Sequence, residues 1–75
     1  MTSRLPVISG AEAIKALEKA GWRKVRQRGS HAVLRHPTER FNLSVPLHRE
    51  LKPGTLRSLL RKSGLSVDEF LALLD

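Results

Sequence analysis

The chain has 75 residues, enough for one small domain spanning residues 1–75 with a single core and a shallow site. Its 14 Lys and Arg against 7 Asp and Glu give a net charge of +7 and a pI near 11.2, which favours nucleic acid or an acidic protein as partner over a membrane surface. The chain has no cysteine, which excludes disulfides and zinc–thiolate sites, and no long apolar run that indicates a signal peptide or membrane span, so we expect a cytoplasmic protein.

A first helix is predicted from Ser9 to Gly21. Ser9 and Glu12 have the spacing of a capping box, in which each residue's side chain accepts a hydrogen bond from the other's backbone. The apolar residues that follow at helical spacing are Ala13, Ile14, Leu17 and Ala20, and they are expected to face the core. We expect Trp22 to cover the junction of helix and sheet, with base stacking as the alternative.

The next segment is predicted to be a hairpin whose strands, about 23–28 and 31–36, are joined by the two-residue turn Gly29-Ser30. Regular pairing outward from this turn places Arg28 opposite His31 and Lys24 opposite Arg35. The register predicts a core face of Val25, Ala32 and Leu34 and an open face of Lys24, Arg26, Arg28, His31, Val33 and Arg35. Opposed like charges are destabilising, so we interpret the open face as arranged for an anion.

A turn at Pro37-Thr38-Glu39 is predicted to lead into a third strand whose inner residues are Phe41, Leu43 and Val45. After a loop from Pro46 to Lys52, a second helix begins near Pro53, buries a stripe of Leu56, Leu59 and Leu60, and ends at Gly64. A second capping box, Ser66 to Glu69, begins a short last helix, with Leu65 and Phe70 as its hydrophobic staple and Val67, Leu71 and Leu74 completing the core. The fold class is therefore α+β in the order α-β-β-β-α, with a three-stranded antiparallel sheet, helices on one face and a short C-terminal helix.

Several motifs in this order resemble the HicA family of toxins: Leu17, Gly21-Trp22, Arg26, Gly29-Ser30-His31, Pro46, His48 and the run Lys52-Pro53-Gly54-Thr55-Leu56. The resemblance covers nearly the whole chain and implies a fold like that of double-stranded-RNA-binding domains. It also implies an enzyme that cleaves single-stranded or messenger RNA without a cofactor, and a HicB-like antitoxin that covers the active site. The catalytic histidine of the family lies in the Gly-Ser-His motif, which here is His31.

The residues themselves fit this chemistry. RNA carries its own nucleophile, the 2′-hydroxyl, so a protein need only remove that proton, stabilise the phosphorane and protonate the leaving oxygen. His31 is the candidate base, because the cations around it favour a neutral imidazole. His48 is a possible second acid or base, against the alternative of an ordinary solvated loop histidine, and His36 is a weaker candidate. The expected RNA-binding residues are Lys24, Arg26, Arg28, Ser30, Arg35, Lys52, Gly54, Thr55, Arg57 and Arg61.

Metal-dependent cleavage is disfavoured, because most acidic residues lie on the predicted helices and leave Glu39 and Glu50 isolated in loops. No Ser-His-Asp or Cys-His set is present, and we expect no cofactor and no metal site. Two alternatives remain open at this point. The chain could be a non-catalytic RNA-binding module of the same fold, or an interaction protein whose basic face binds an acidic partner.

Overall fold

The computed structural model describes residues 4–74, and they form three helices and one sheet. The elements in chain order are α1 (Gly10–Lys19), β1 (Arg23–Arg28), β2 (His31–Arg35), β3 (Leu43–Pro46), α2 (Pro53–Ser63) and α3 (Val67–Leu73). The antiparallel sheet has the order β1-β2-β3, with α1 and α2 against it and α3 against α1. This arrangement confirms the predicted α+β fold. In the described part of the chain, no helix is long and apolar enough to cross a membrane.

The core lies between the helices and one face of the sheet. Its largest fully buried side chains are Phe70, Leu17, Leu34, Leu43, Leu56 and Val45. Because Ala32, Leu34, Leu43 and Val45 alternate with residues that point away, the strands place a single apolar face against the helices. The other face of the sheet, the open face, includes His31 and Arg35 of β2, and both side chains are exposed.

Both predicted capping boxes are present. The Ser9 amide donates to Glu12 Oε1 at 2.9 Å and the Glu12 amide donates to Ser9 Oγ at 3.1 Å, and these bonds hold the pKa of Glu12 below its ordinary value. Ser66 and Glu69 make the same pair of bonds at the start of α3. α1 ends at Lys19, slightly earlier than predicted, because Ala20 caps it and Gly21 already has a left-handed φ of 101°.

His36 anchors the end of α1. Its Nδ1 accepts the Thr38 amide at 3.2 Å, so the ring proton lies on Nε2, which donates to the Ala20 carbonyl at 3.2 Å. A Cβ on Gly21 would lie 2.7 Å from Nε2, so the histidine also requires glycine there. Trp22 packs against the His36 ring at 5.1 Å and is 3% exposed, which confirms its covering role and leaves no free ring for base stacking.

The register of β1 corrects the sequence prediction. Arg28 pairs with His31 as expected, but a β-bulge between Lys24 and Arg26 leaves Val25 unpaired, so Arg23 rather than Lys24 lies opposite Arg35. Val25 is 48% exposed instead of buried. Strict alternation places one apolar residue on the core side of a strand that lies at the sheet's edge, where bulges are common and where all six residues are exposed.

The third strand is shorter than predicted. It begins at Leu43, and Phe41 lies before it, 42% exposed, with its ring 6.1 Å from that of Trp22. Phe41 therefore packs on the outer side of Trp22 instead of entering the core. The preceding turn at residues 37–39 is confirmed, with the Glu39 amide bonded to the His36 carbonyl at 3.2 Å.

Candidate functional site

The site is built on the β1–β2 turn. Gly29 has a φ of 58° and Ser30 does not have a positive φ, which is the pattern of the predicted two-residue turn with glycine first. The turn brings Arg28 and His31 into direct cross-strand pairing at the end of the hairpin. The Ser30 carbonyl accepts the Leu47 amide at 2.6 Å, so the turn is fixed to the loop that follows β3.

That loop, residues 47–52, is also hydrogen-bonded to the first residue of α1 and to the segment that precedes α1. Gly10, the first residue of α1, donates its amide to the His48 carbonyl at 2.9 Å, and the Leu51 amide donates to the Ile8 carbonyl at 2.8 Å. The first amides of a helix have no partner within it, so the His48 carbonyl satisfies one of them. The backbone that carries His48 is therefore held from two sides.

These two constraints bring two histidines together. The His31 and His48 rings have centroids 6.4 Å apart and meet edge to face at 70°. Both side chains are exposed at the end of the open face. Two adjacent, accessible imidazoles can supply one proton acceptor and one proton donor to the same bound group, which is the minimum for acid–base chemistry.

The open face beside this histidine pair is strongly cationic. Cross-strand pairing places Arg23, Arg26, Arg28 and Arg35 on the same side of the sheet as His31, together with Val33, Ser44 and Pro46. None of the four arginines makes an ion pair within residues 4–74. Four guanidinium groups without ion pairs, on a face with no carboxylate in its register, can bind an anion.

A cavity of about 390 Å³ lies at the far end of this face from the pair formed by His31 and His48. It is lined by Gly21, Arg23, Val25, Arg35, His36, Pro37 and Glu39. The opposed Arg23 and Arg35 at this cavity are a consequence of the bulge, and the sequence reasoning missed Arg23 for that reason. The predicted face residue Lys24 instead pairs with Leu34 and donates to Gln27 Oε1 at 2.9 Å, so it does not belong to the open face.

The remaining predicted site residues lie elsewhere. Lys52, Gly54 and Thr55 line a shallow groove of about 600 Å³ between β3 and α2, separate from the cavity at Arg35. Arg61 lies in a neighbouring depression with Phe41, and Arg57 is exposed on α2 and lines neither. The groove also contains residues that the sequence reasoning did not select, namely Asn42, Ser44, Ser58, Leu59 and Lys62. Only the fold could have identified these, since they come from two separate elements.

Metal chemistry has no evident ligand set here. No group of three or more His, Cys, Asp or Glu side chains within residues 4–74 has the arrangement needed to hold a metal ion. Of the three histidines, His36 has both ring nitrogens in hydrogen bonds within the fold, which leaves His31 and His48 for chemistry.

Comparison with known proteins agrees with the residue pattern. A family model described as HicA toxin of bacterial toxin–antitoxin matches residues 10–65, which include all three strands, the histidine pair and α2. No curated protein matches the chain at a significant level.

Proposed function

Because the chain belongs to the HicA family of bacterial toxin–antitoxin toxins, we propose that it is a metal-independent endoribonuclease that cleaves messenger RNA, with His31 as its catalytic residue. The observation that carries this proposal is the edge-to-face contact of His31 and His48 at 6.4 Å, beside four arginines without ion-pair partners in the described chain. The location that fits a messenger RNA substrate is the cytoplasm.

The reaction divides between the two histidines. His31 removes the proton of a ribose 2′-hydroxyl, and the oxygen attacks the adjacent phosphorus. The arginines stabilise the charge that develops on the phosphorane oxygens, with Arg28 nearest in register to His31. The bond from phosphorus to the 5′-oxygen then breaks, and His48 protonates that oxygen. The products are one strand ending in a 2′,3′-cyclic phosphate and one beginning with a 5′-hydroxyl.

The proposal is tested by the products that the purified protein makes from a defined RNA in the presence of a metal chelator. We expect cleavage that leaves 2′,3′-cyclic phosphate ends, and complete protection of any cleaved site by a single 2′-deoxy substitution, because the nucleophile is then missing. Cleavage of the 2′-deoxy substrate, or a requirement for added metal, contradicts the mechanism. RNA binding without any turnover identifies a non-catalytic RNA-binding module instead.

RNA binding to the open face should be electrostatic, which gives a second measurable prediction. Neutralising Arg28 as Arg28→Gln should weaken RNA affinity and lower the slope of log affinity against log salt concentration by about 0.7, the value for one phosphate contact on a single strand. Filter binding or fluorescence anisotropy across a salt series measures both. Lys15→Gln is the matched control, since it removes the same charge from the exposed side of α1, away from the open face. Equal slopes for the two variants contradict binding at Arg28.

The antitoxin that accompanies a toxin of this family is the second partner, and we propose that it is HicB-like and covers the open face. Burying several guanidinium groups without compensating charges is unfavourable, because a charge left unpaired in a buried pair costs about 3–5 kcal/mol. The antitoxin segment that reaches Arg26, Arg28 and His31 should therefore carry carboxylates. Its binding would inhibit cleavage by excluding RNA.

A further inference from the structure

The two edges of the sheet differ in how they are protected from pairing with another strand. β1 forms one edge, carries four cations in six residues and contains the bulge at Val25, all features that oppose strand addition. β3 forms the other edge and reads Leu43-Ser44-Val45-Pro46, without any charge. Pro46 limits the length of this edge but leaves the residues before it free to pair.

The register shows which backbone groups the β3 edge exposes. The Leu47 amide bonds to the Ser30 carbonyl, so residues 30 and 47 form a hydrogen-bonded pair, and by alternation Leu43 and Val45 also bond to β2. Ser44 lies between them, so its N–H and C=O point away from β2. No backbone group within residues 4–74 bonds to them on the outer side. Ser44 therefore offers one donor and one acceptor to an added strand.

A groove follows this edge. It has a volume of about 600 Å³ between β3 and α2, and it is lined by Asn42, Ser44, Lys52, Gly54, Thr55, Ser58, Leu59 and Lys62. Lys52 and Lys62 are exposed cations, and no acidic residue lines the groove. Beyond one end, a depression of about 460 Å³ contains the half-exposed Phe41 ring with Arg61 and Lys62. The groove thus combines an open strand edge, two cations and an apolar contact at its end.

We propose that an extended, acidic segment of a partner protein binds in this groove by adding a strand to β3. A polypeptide backbone in extended conformation matches the donor and acceptor of Ser44, because each of its residues also carries one N–H and one C=O. Carboxylates on that segment would pair with Lys52 and Lys62. A second copy of this chain fits poorly, because each copy carries a net charge of +7 and would bring its own lysines against these. The surface is distinct from the histidine pair, and the proposal does not depend on nuclease activity.

The proposal is tested by selecting random dodecapeptides displayed on phage against the immobilised protein at physiological salt. We expect the selected peptides to be rich in Asp and Glu and in β-branched residues. Affinities of the corresponding synthetic peptides are then measured for the wild type, Ser44→Val and Ser44→Pro. Valine at position 44 retains the backbone N–H and favours a strand, whereas proline at this position has no N–H to donate. Peptide affinity should be unchanged in Ser44→Val and reduced at least tenfold in Ser44→Pro.

Hydrogen exchange of the Ser44 amide in the wild type gives a readout that does not depend on the folding of the proline variant. Exchange at Ser44 should slow when the selected peptide is bound. The proposal is overturned if no acidic peptides are enriched, if Ser44→Pro folds and binds as well as Ser44→Val, or if Ser44 exchange is unchanged on binding. It is also overturned if an oligouridylate slows exchange of the Ser44 amide as the peptide does, which would identify RNA as the occupant, or if Ser44→Pro abolishes a concentration-dependent dimer, which would identify a second copy.

Discussion

Replacing His31 with alanine should reduce RNA cleavage by about 10²- to 10⁴-fold, the contribution of a positioned general base. His48→Ala should cause a loss of similar size, because the leaving oxygen is then not protonated. In each case the variant should lose one limb of the pH–rate profile. Without His31 the rise of the rate with pH should disappear, and without His48 its fall at higher pH should disappear. Single-turnover cleavage of a defined RNA across a pH series measures these effects.

Measuring the stability of these variants shows whether a loss of activity is caused by lost catalysis or by unfolding. Both histidine side chains are exposed, so the free energy of unfolding of each alanine variant should differ from that of the wild type by less than about 0.5 kcal/mol. The free energy of unfolding is measured by denaturant titration. Growth arrest on expression should disappear with His31→Ala in step with cleavage. A His31→Ala protein that cleaves RNA at the wild-type rate would eliminate His31 as the base, and a His48→Ala protein with an unchanged pH profile would eliminate His48 as the acid.

Gly10→Ala should cause a larger loss of stability than alanine at any of the chain's other four glycines. A Cβ at Gly10 would overlap the Pro46 carbonyl oxygen and lie 2.9 Å from its carbonyl carbon, both of them backbone atoms that cannot rotate away. Overpacking costs about 1–3 kcal/mol in typical cores, and we expect the upper end here or more. A domain of this size is stable by roughly 4–11 kcal/mol, so the loss is a large fraction of the total. The variant should also lose cleavage activity, because the Gly10 amide holds the backbone of His48.

Gly54→Ala is the control for Gly10→Ala. Both glycines lie in the first turn of a helix, but a Cβ at Gly54 would have no atom within 4 Å. The substitution should therefore raise stability by about 0.4–1 kcal/mol, since alanine reduces the freedom of the unfolded chain. Denaturant titration of both variants gives the comparison. Equal stabilities for the two variants would contradict the prediction, because they would show that α1 and Pro46 can move apart to accommodate a methyl group.

Local rules of sequence predicted much of this fold. The capping boxes at Ser9 and Ser66 and the Gly29-Ser30 turn depend on neighbouring residues alone, so their geometry followed from spacing. The placement of α1, α2 and α3 also followed, because their apolar stripes have helical periodicity. Such features are decided within one element and do not require knowledge of what packs against it.

The errors arose where one element depends on another. Val25 is the lone apolar residue of β1, and alternation gave it to the core because the sequence contains no sign of the bulge. Phe41 is predicted to lie in the third strand, but its ring contacts that of Trp22, which directly precedes β1. The sequence predicts His48 as a possible second acid or base, but its contact with His31 could not be predicted. It depends on bonds from Leu47 and Gly10 that only the complete fold makes.

Those bonds also determine when the site can exist during synthesis of the chain. The Leu51 amide and the Ile8 carbonyl are more than half the chain apart in sequence, as are the Gly10 amide and the His48 carbonyl. Contacts between such distant residues require closure of a long loop and form late relative to local hairpins and helices. The β1–β2 hairpin can form as soon as it leaves the ribosome, whereas His48 reaches His31 only after the chain has closed. A nascent chain therefore carries both histidines before they are in contact, and the histidine pair forms only when folding is nearly complete.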